Sequence, residues 1–217
     1  MKQPSLGRST LHHALRFTAL FTVLFTLLSS SHASGLPIVC DYVASEPQNE
    51  AERLARQASD ERWALMEYYA SLLPAEADSS LRMPVAHVRV RDIADTWGAP
   101  RGGGRVHEGQ DIFAARGTPI YAAAPGYVWR MGISQLGGTM LWIVGAGARR
   151  YYYAHLEGYP AGLQEGDYVT TDSIIGYVGN SGNAITTPPH LHFGIYHGSR
   201  RTCNRSVIDP LPLLVNR

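Results

Sequence analysis

The chain has 217 residues, of which 45% are hydrophobic and 17% are charged, a composition typical of one or two globular domains. Its 19 basic and 18 acidic residues give a formal net charge of +1. Lys2 is the only lysine, and the arginines are dispersed along the chain. The basic patch that nucleic-acid binding requires is therefore missing, and we exclude nucleic acid as a partner.

The first 33 residues have the three parts of an export signal. A segment with one lysine, two arginines and no acid precedes the apolar run 17–28, and a small-x-small sequence ends at Ala33. We predict a signal peptide over residues 1–33, cleaved after Ala33. A retained membrane anchor is the alternative, but a spanning helix needs about 20 apolar residues. After cleavage we expect no stable membrane span, and 16 arginines then face 18 acidic residues, a net charge of −2.

The two cysteines, Cys40 and Cys203, lie far apart in the sequence. A small even number of cysteines in an exported protein favours a disulfide, so we predict that the two are bonded and that the compartment is oxidising. The alternative is a lipid anchor on Cys40. It is disfavoured because Val39 stands where a lipoprotein signal needs a small residue.

Residues 34–80 are predicted to form an N-terminal extension with one helix at about 47–73, followed by a linker. Ser45 or Asn49 is a candidate N-cap, and Pro74 ends the helix. We expect this helix to pack on the surface of the main domain; the alternative is that it partly covers a groove. Apolar residues at steps of three, four or seven predict one apolar stripe, formed by Leu54, Ala58, Leu65, Tyr69 and Leu72.

Residues 81–217 are predicted to form a mainly β domain. Gly-rich turns separate short runs that are rich in β-branched and aromatic residues, a texture typical of an all-β sandwich or barrel. These runs are PIYAAA, GYVWRM, MLWIVG, YYYAHL, IIGYVG and LHFGIY.

His107 stands four residues before Asp111 in RVHEGQD. Gly109 lets the backbone bend between them, so that the imidazole and the carboxylate can converge. Glu108 is interpreted as a solvated charge at the rim of the site. The preceding glycines 102–104 are either a plain turn or a flexible wall. His155 ends the aromatic run YYYAHL.

His190 and His192 are separated by one residue in PPHLHFGIY. In a strand their side chains point to the same face, while Leu191 points into the core. Each histidine pattern is weak by itself, because solvated histidines would explain it equally well, and His87 and His197 have no partner at all. In combination, one carboxylate and two imidazoles make a three-ligand set with one open position, as in catalytic zinc sites.

The order of five segments gives a more specific signal. RVHEGQDI, GTPIYAAAPGYV, YYYAHL, IIGYVGNSGNA and PPHLHFGIY follow one another in a sequence that resembles the lysostaphin-like zinc endopeptidases, peptidase family M23 or LytM-type, over about residues 84–212. The resemblance implies a lysostaphin-like antiparallel β-sheet, barrel-like in form, with a groove across one sheet. It implies one Zn²⁺ per chain.

The resemblance also implies roles for the candidate residues. His107, Asp111 and His192 would bind the zinc ion, and His155 and His190 would be catalytic. Within this pair we assign His190 as the general base and His155 as the group that stabilises the developing oxyanion. The reverse assignment stays open, because both are imidazoles of the same type.

The implied activity is zinc-dependent endopeptidase cleavage of the cross-links or stem peptides of bacterial peptidoglycan, by a monomer. The periplasm of a Gram-negative bacterium is the expected location, with secretion as the alternative. One rival interpretation is a non-catalytic regulator or activator of other cell-wall hydrolases, although such relatives typically lack the ligands present here. A biotinyl- or lipoyl-carrier domain is excluded, because the mature chain has no lysine to carry the group. A pure binder of wall polymer would need no ligand set.

The disulfide prediction has a direct test. Titration of thiols in the unreduced, denatured mature protein should find none. Two thiols per chain would show that Cys40 and Cys203 are not bonded.

Overall fold

The computed structural model describes residues 46–198 and 204–217. The predicted signal peptide, the candidate cap Ser45 and both cysteines of the predicted disulfide lie outside the described residues. No helix within the described ranges is long and apolar enough to cross a bilayer.

The predicted helix is present as α1, Glu50–Ser71. The Asn49 side chain accepts a hydrogen bond from the Glu52 N–H at 2.9 Å, and Glu52 accepts one from the Gln48 N–H at 2.7 Å. The first bond satisfies a donor that the first helical turn would leave free, and the second ties the residue before the cap to that turn. The helix ends just before Pro74, as predicted.

The predicted apolar stripe of α1 was largely wrong. Leu54, Leu65 and Leu72 are exposed, and the buried position is Met66. The helix packs through a neighbouring stripe with larger rings, because the sheet beneath it presents tryptophans, and aromatic rings bury more area than leucines. This contact brings together Trp63, Met66, Tyr69, Ala70 and Leu73 with Trp129, Trp142 and Val144.

The mainly β fold with antiparallel strands is confirmed. The strands are β1 Leu81–Arg82, β2 Pro100–Arg101, β3 Arg105–Val106, β4 Gln110–Phe113, β5 Pro119–Tyr121, β6 Gly126–Ser134, β7 Gly138–Gly145, β8 Arg150–Gly158, β9 Tyr168–Val169, β10 Ile174–Val178, β11 His190–His197, β12 Ser206–Ile208 and β13 Leu214–Val215. Nine of them form one sheet in the order β12-β11-β8-β7-β6-β9, with β4 paired to β11 and β10 paired to both β5 and β8; all these pairs are antiparallel.

Two small sheets complete the architecture. β1 pairs in parallel with β13, and β2 pairs with β3 in a hairpin. Glycines 102–104 form the turn of that hairpin, and Gly103 and Gly104 have φ values of 74° and 71°, which favour glycine. The turn interpretation of this glycine run is therefore confirmed.

The core lies under the middle of the sheet, where β8 and β11 run side by side. Tyr151, Tyr153 and Phe193 are fully buried, and Leu191 points into the core between the two site histidines, as predicted. The Tyr153 hydroxyl accepts a hydrogen bond from the Ala123 N–H at 2.9 Å, so the buried ring keeps a polar partner. The resulting rigid centre holds β11 in place.

Two isoleucines on adjacent strands test this assignment of the core. Ile143 on β7 is fully buried and Ile133 on β6 is 83% exposed. Ile143→Ala should lower the free energy of unfolding by about 2–5 kcal/mol, measured by urea denaturation. Ile133→Ala is the matched control and should change it by less than about 0.5 kcal/mol. Equal losses at the two positions would contradict the assignment.

Candidate metal centre and active site

The register between β4 and β11 brings the three predicted metal ligands together. His192 on β11 lies directly opposite Asp111 on β4, and His107 immediately follows β3. His107 Nε2 and His192 Nδ1 lie 3.0 and 3.1 Å from Asp111 Oδ1 and 2.8 Å from each other. Among the described residues, these three form a group that can hold a metal ion.

Backbone contacts set the orientation of His107. Its Nδ1–H donates to the Thr96 carbonyl oxygen at 2.7 Å, which leaves the Nε2 lone pair facing the other two groups. The backbone N–H of His107 donates to the Ala99 carbonyl at 2.9 Å, and its own carbonyl accepts from the Gly98 N–H at 3.0 Å. The backbone bonds hold the residue in place, and the ring, which is 5% exposed, cannot turn without breaking its bond to Thr96.

The chemistry of the donor set fits a divalent cation. An unprotonated His107 Nε2 and a carboxylate oxygen 3.0 Å apart repel each other unless a positive charge lies between them. Two tetrahedral ligands of a zinc ion, each about 2.0–2.1 Å from the metal, stand about 3.3 Å apart. The observed separations of 2.8–3.1 Å are close to this value, so the residues suit zinc.

Electrostatics favour the metal-binding forms of Asp111 and His192. Burial raises the pKa of the Asp111 carboxyl, but polar contacts with His107 and His192 and the charges on their rings outweigh it and hold the pKa well below the usual range. Burial also lowers the pKa of His192, which favours the neutral ring. An ionised carboxylate and neutral imidazoles are the ligand forms that metal binding needs.

The two remaining site histidines border the same centre. His190 Nε2 is 3.8 Å from Asp111 Oδ1, and its Nδ1–H donates to the Pro188 carbonyl at 2.9 Å. The His155 ring centroid lies 5.0 Å from that of His190 and 6.0 Å from that of His192. All five residues that the sequence singled out therefore converge.

The backbone of His155 is strained. Its φ of 62° lies in the left-handed region, which costs a non-glycine residue about 1–3 kcal/mol. Its N–H donates to the Gly137 carbonyl at 2.8 Å, and its Nδ1–H donates to the Ser181 carbonyl at 2.9 Å. These bonds hold the strained residue with its Nε2 lone pair free. Burial lowers the pKa of His155 to about 4, so the ring is neutral at pH 7.

Gly109 has a different function from the one we predicted. Its φ is not positive, so it does not supply an unusual bend. A Cβ at this position would instead lie 2.6 Å from the Phe193 carbonyl oxygen and 2.8 Å from Cε1 of the His192 ring. Glycine is needed because the first ligand loop passes directly against the third ligand.

Three supporting residues were not found from the sequence. Arg101 Nη2 donates to Asp111 Oδ2 at 2.7 Å, which occupies the carboxylate oxygen that faces away from the histidines. The Thr96 hydroxyl accepts from the Asp111 N–H at 3.0 Å, and Ser181 orients His155. No local pattern marks these contacts, because they join segments that are distant in sequence. Glu108 pairs with Arg205 instead of contacting the ligands, which agrees with a place at the rim.

Comparison with known proteins agrees with this fold and site. The model of peptidase family M23 matches residues 105–210, which include all five site residues. The L-Ala–D-Glu endopeptidase of Bacillus subtilis is 40% identical over 126 residues, 55% of this chain and 38% of that protein. Lysostaphin of Staphylococcus staphylolyticus is 37% identical over 113 residues, 51% of this chain and 22% of lysostaphin.

A solved structure of LytM from Ruminococcus gnavus is 28% identical, covers 64% of this chain and 62% of that chain, and superposes with a TM-score of 0.50. The chain belongs to peptidase family M23, and its domain is of the lysostaphin-like type. It spans well under half the length of the two curated relatives. Helix α1 lies outside the residues that the family model matches.

The ligand assignment predicts which histidines the metal requires. His107→Ala and His192→Ala should each lose bound metal, because two donors rarely retain a divalent ion after dialysis. His190→Ala should keep about one metal ion per chain, measured by elemental mass spectrometry. His197→Ala, at the exposed end of β11, is the control. Loss of metal from the His190 variant would show that the two histidines of β11 are wrongly assigned.

Proposed function

We propose that the protein is a zinc-dependent endopeptidase that hydrolyses peptide bonds of bacterial peptidoglycan. The observation that carries the proposal is the convergence of His107, Asp111 and His192 beside two histidines whose Nδ1 atoms bond to backbone carbonyls. Three protein ligands leave one position open, which distinguishes a catalytic zinc site from a closed structural one. A zinc ion there would lower the pKa of a bound water to about 7 and polarise the carbonyl of the substrate.

Two histidines of the chain would accept and donate the proton during the reaction. Both His155 and His190 use Nδ1–H to donate to a backbone carbonyl, so each presents a proton-accepting Nε2 in its neutral form. We assign His190 as the general base because its Nε2 is only 3.8 Å from the ligand oxygen of Asp111. A histidine that has taken up a proton becomes a donor, so either ring can next stabilise the oxyanion or protonate the leaving amine.

The substrate class follows from similarity. The motifs around the five site residues resemble wall-cleaving endopeptidases, and the Bacillus subtilis relative is named for an L-Ala–D-Glu bond. A bond between an L- and a D-amino acid is a feature of bacterial wall peptides. The bond cut by this chain is left to the experiment, since a Gram-negative wall would offer a D-Ala–diaminopimelate link instead of a glycine bridge.

The proposal predicts zinc-dependent release of cleaved muropeptides from purified sacculi. A chelator should abolish release and added Zn²⁺ should restore it, and product masses would identify the bond. His190→Ala should lower turnover by about 10²–10⁴-fold while keeping its metal. The exposed His197→Ala is the control and should retain full activity. Bound zinc without any cleavage would contradict the proposal and favour a non-catalytic regulator of other wall hydrolases.

A further inference from the structure

The sheet face that carries the metal centre continues beyond it. β8 and β11 pair so that Ala154 lies opposite His192, Tyr152 opposite Gly194 and Arg150 opposite Tyr196. Alternate residues of a strand share a face, so Tyr152 and Arg150 lie on the face of His192. The Tyr152 ring is 5.8 Å from the His192 ring. Tyr196 lies four positions after His192 on the same strand, a distance of about 13 Å.

Helix α1 packs at this distant end of the face and forms one side of an open pocket of about 440 Å³. Three arginines and three tryptophans line it together with small residues of the helix, and the lining contains no acidic side chain. We call it the arginine–tryptophan pocket; it is lined by Ala55, Ala58, Ser59, Arg62, Trp63, Trp129, Arg130, Trp142 and Arg150. Five of these nine residues belong to α1, outside the residues that the family model matches.

Arg150 is the most buried charge of the pocket, at 6% exposure. One of its terminal nitrogens donates to the Gly198 carbonyl, and its guanidinium carbon lies 4.8 Å from the Trp63 ring centroid. Within the described ranges its Nε has no hydrogen-bond partner and no carboxylate pairs with it. Burial, and then the nearby charge of Arg205, lower the pKa of Arg150 to about 10.

A buried cation of this kind is stabilised by an anion. Guanidinium groups bind carboxylates in a planar, charge-assisted geometry, and tryptophan rings accept the apolar part of a ligand. The rings also form a continuous surface towards the metal centre, because the Trp142 ring centroid lies 4.3 Å from that of Tyr152 and 6.1 Å from that of Trp129. An extended peptide of about four residues spans the same 13 Å.

We propose that the arginine–tryptophan pocket binds a free carboxylate of the wall peptide, about four residues from the bond that is cut. This inference rests on the proposed function and extends it to substrate selection. The carboxylate can be the C-terminus of a stem peptide or the side-chain group of a residue within it. A protein without α1 would lack half of the pocket and would not discriminate in this way.

Calorimetric titration tests the proposal with the zinc-loaded His190→Ala protein, so that the probe is not consumed. The probe is the stem tetrapeptide L-Ala–γ-D-Glu–diaminopimelate–D-Ala, compared with forms amidated at the C-terminus or at the side-chain carboxylates. Arg150→Gln should weaken binding of the unmodified peptide about ten- to hundredfold, as expected for a lost charge-assisted hydrogen bond. The amidated form that shows the same loss identifies the carboxylate.

Combining the amidated peptide with the Arg150→Gln protein separates a direct contact between them from a general loss of positive charge. Amidation and Arg150→Gln remove the same interaction, so together they should cost little more than either alone. Arg89→Gln, an exposed arginine away from the pocket, removes the same charge and should leave affinity unchanged. If Arg150→Gln does not fold, as judged by circular dichroism and metal content, Arg130→Gln replaces it, with an expected loss of about three- to tenfold.

The outcomes distinguish the two proposals. Equal affinity for amidated and unmodified peptides, or no effect of either arginine substitution, would overturn the pocket assignment and leave the endopeptidase proposal intact. Carboxylate-dependent binding by a wild-type protein that never cleaves the peptide would overturn the endopeptidase proposal and leave the pocket assignment intact. In the active enzyme, a raised KM with little change in kcat for Arg150→Gln would support the pocket.

Discussion

The pairing of β4 with β11 is the constraint on which the site depends. It places Asp111 opposite His192 and so defines where the ligand atoms meet. Because side chains alternate along a strand, a slip of one residue would turn both histidines of β11 into the core and Leu191 out of it. The fully buried Leu191 and Phe193 make such a slip costly. The hydrophobic core and the metal centre are thus held by the same register.

Two features near this register are locally unfavourable but position the site residues accurately. His155 is held in a left-handed conformation by bonds to Gly137 and Ser181, and Gly109 leaves only enough room for the His192 ring. Both features are unfavourable or restrictive locally and persist because the surrounding strands are rigid. The first feature places the His155 ring beside the His190 and His192 rings, and the second brings the His107 loop against His192. Strain of this kind is expected at a site more than in a purely structural sheet.

Helix α1 packs on the family domain and adds a second candidate binding surface to it. It packs through Trp63 and Met66 on tryptophans of the sheet and forms one side of the arginine–tryptophan pocket. The metal centre and this pocket lie on one face and are joined by stacked aromatic rings. The chemistry proposed for the family domain and the selectivity proposed for α1 would then act on one extended peptide. The proposed arrangement would give the N-terminal extension a role in recognition rather than in catalysis.

The sequence alone determined the strand runs, because β-propensity and alternation are local properties, and its resemblance to a known family gave the five converging residues. A helix at about 47–73 was also predicted, with Ser45 or Asn49 as its cap, and the structure has it at Glu50–Ser71 with Asn49 as the cap. The contacts of Thr96, Arg101 and Ser181 with the site could not be predicted, since they depend on which distant segments meet. For the same reason the buried face of α1 was misjudged. Two stripes of the helix were apolar enough to bury, and only the aromatic surface supplied by β6 and β7 decided between them.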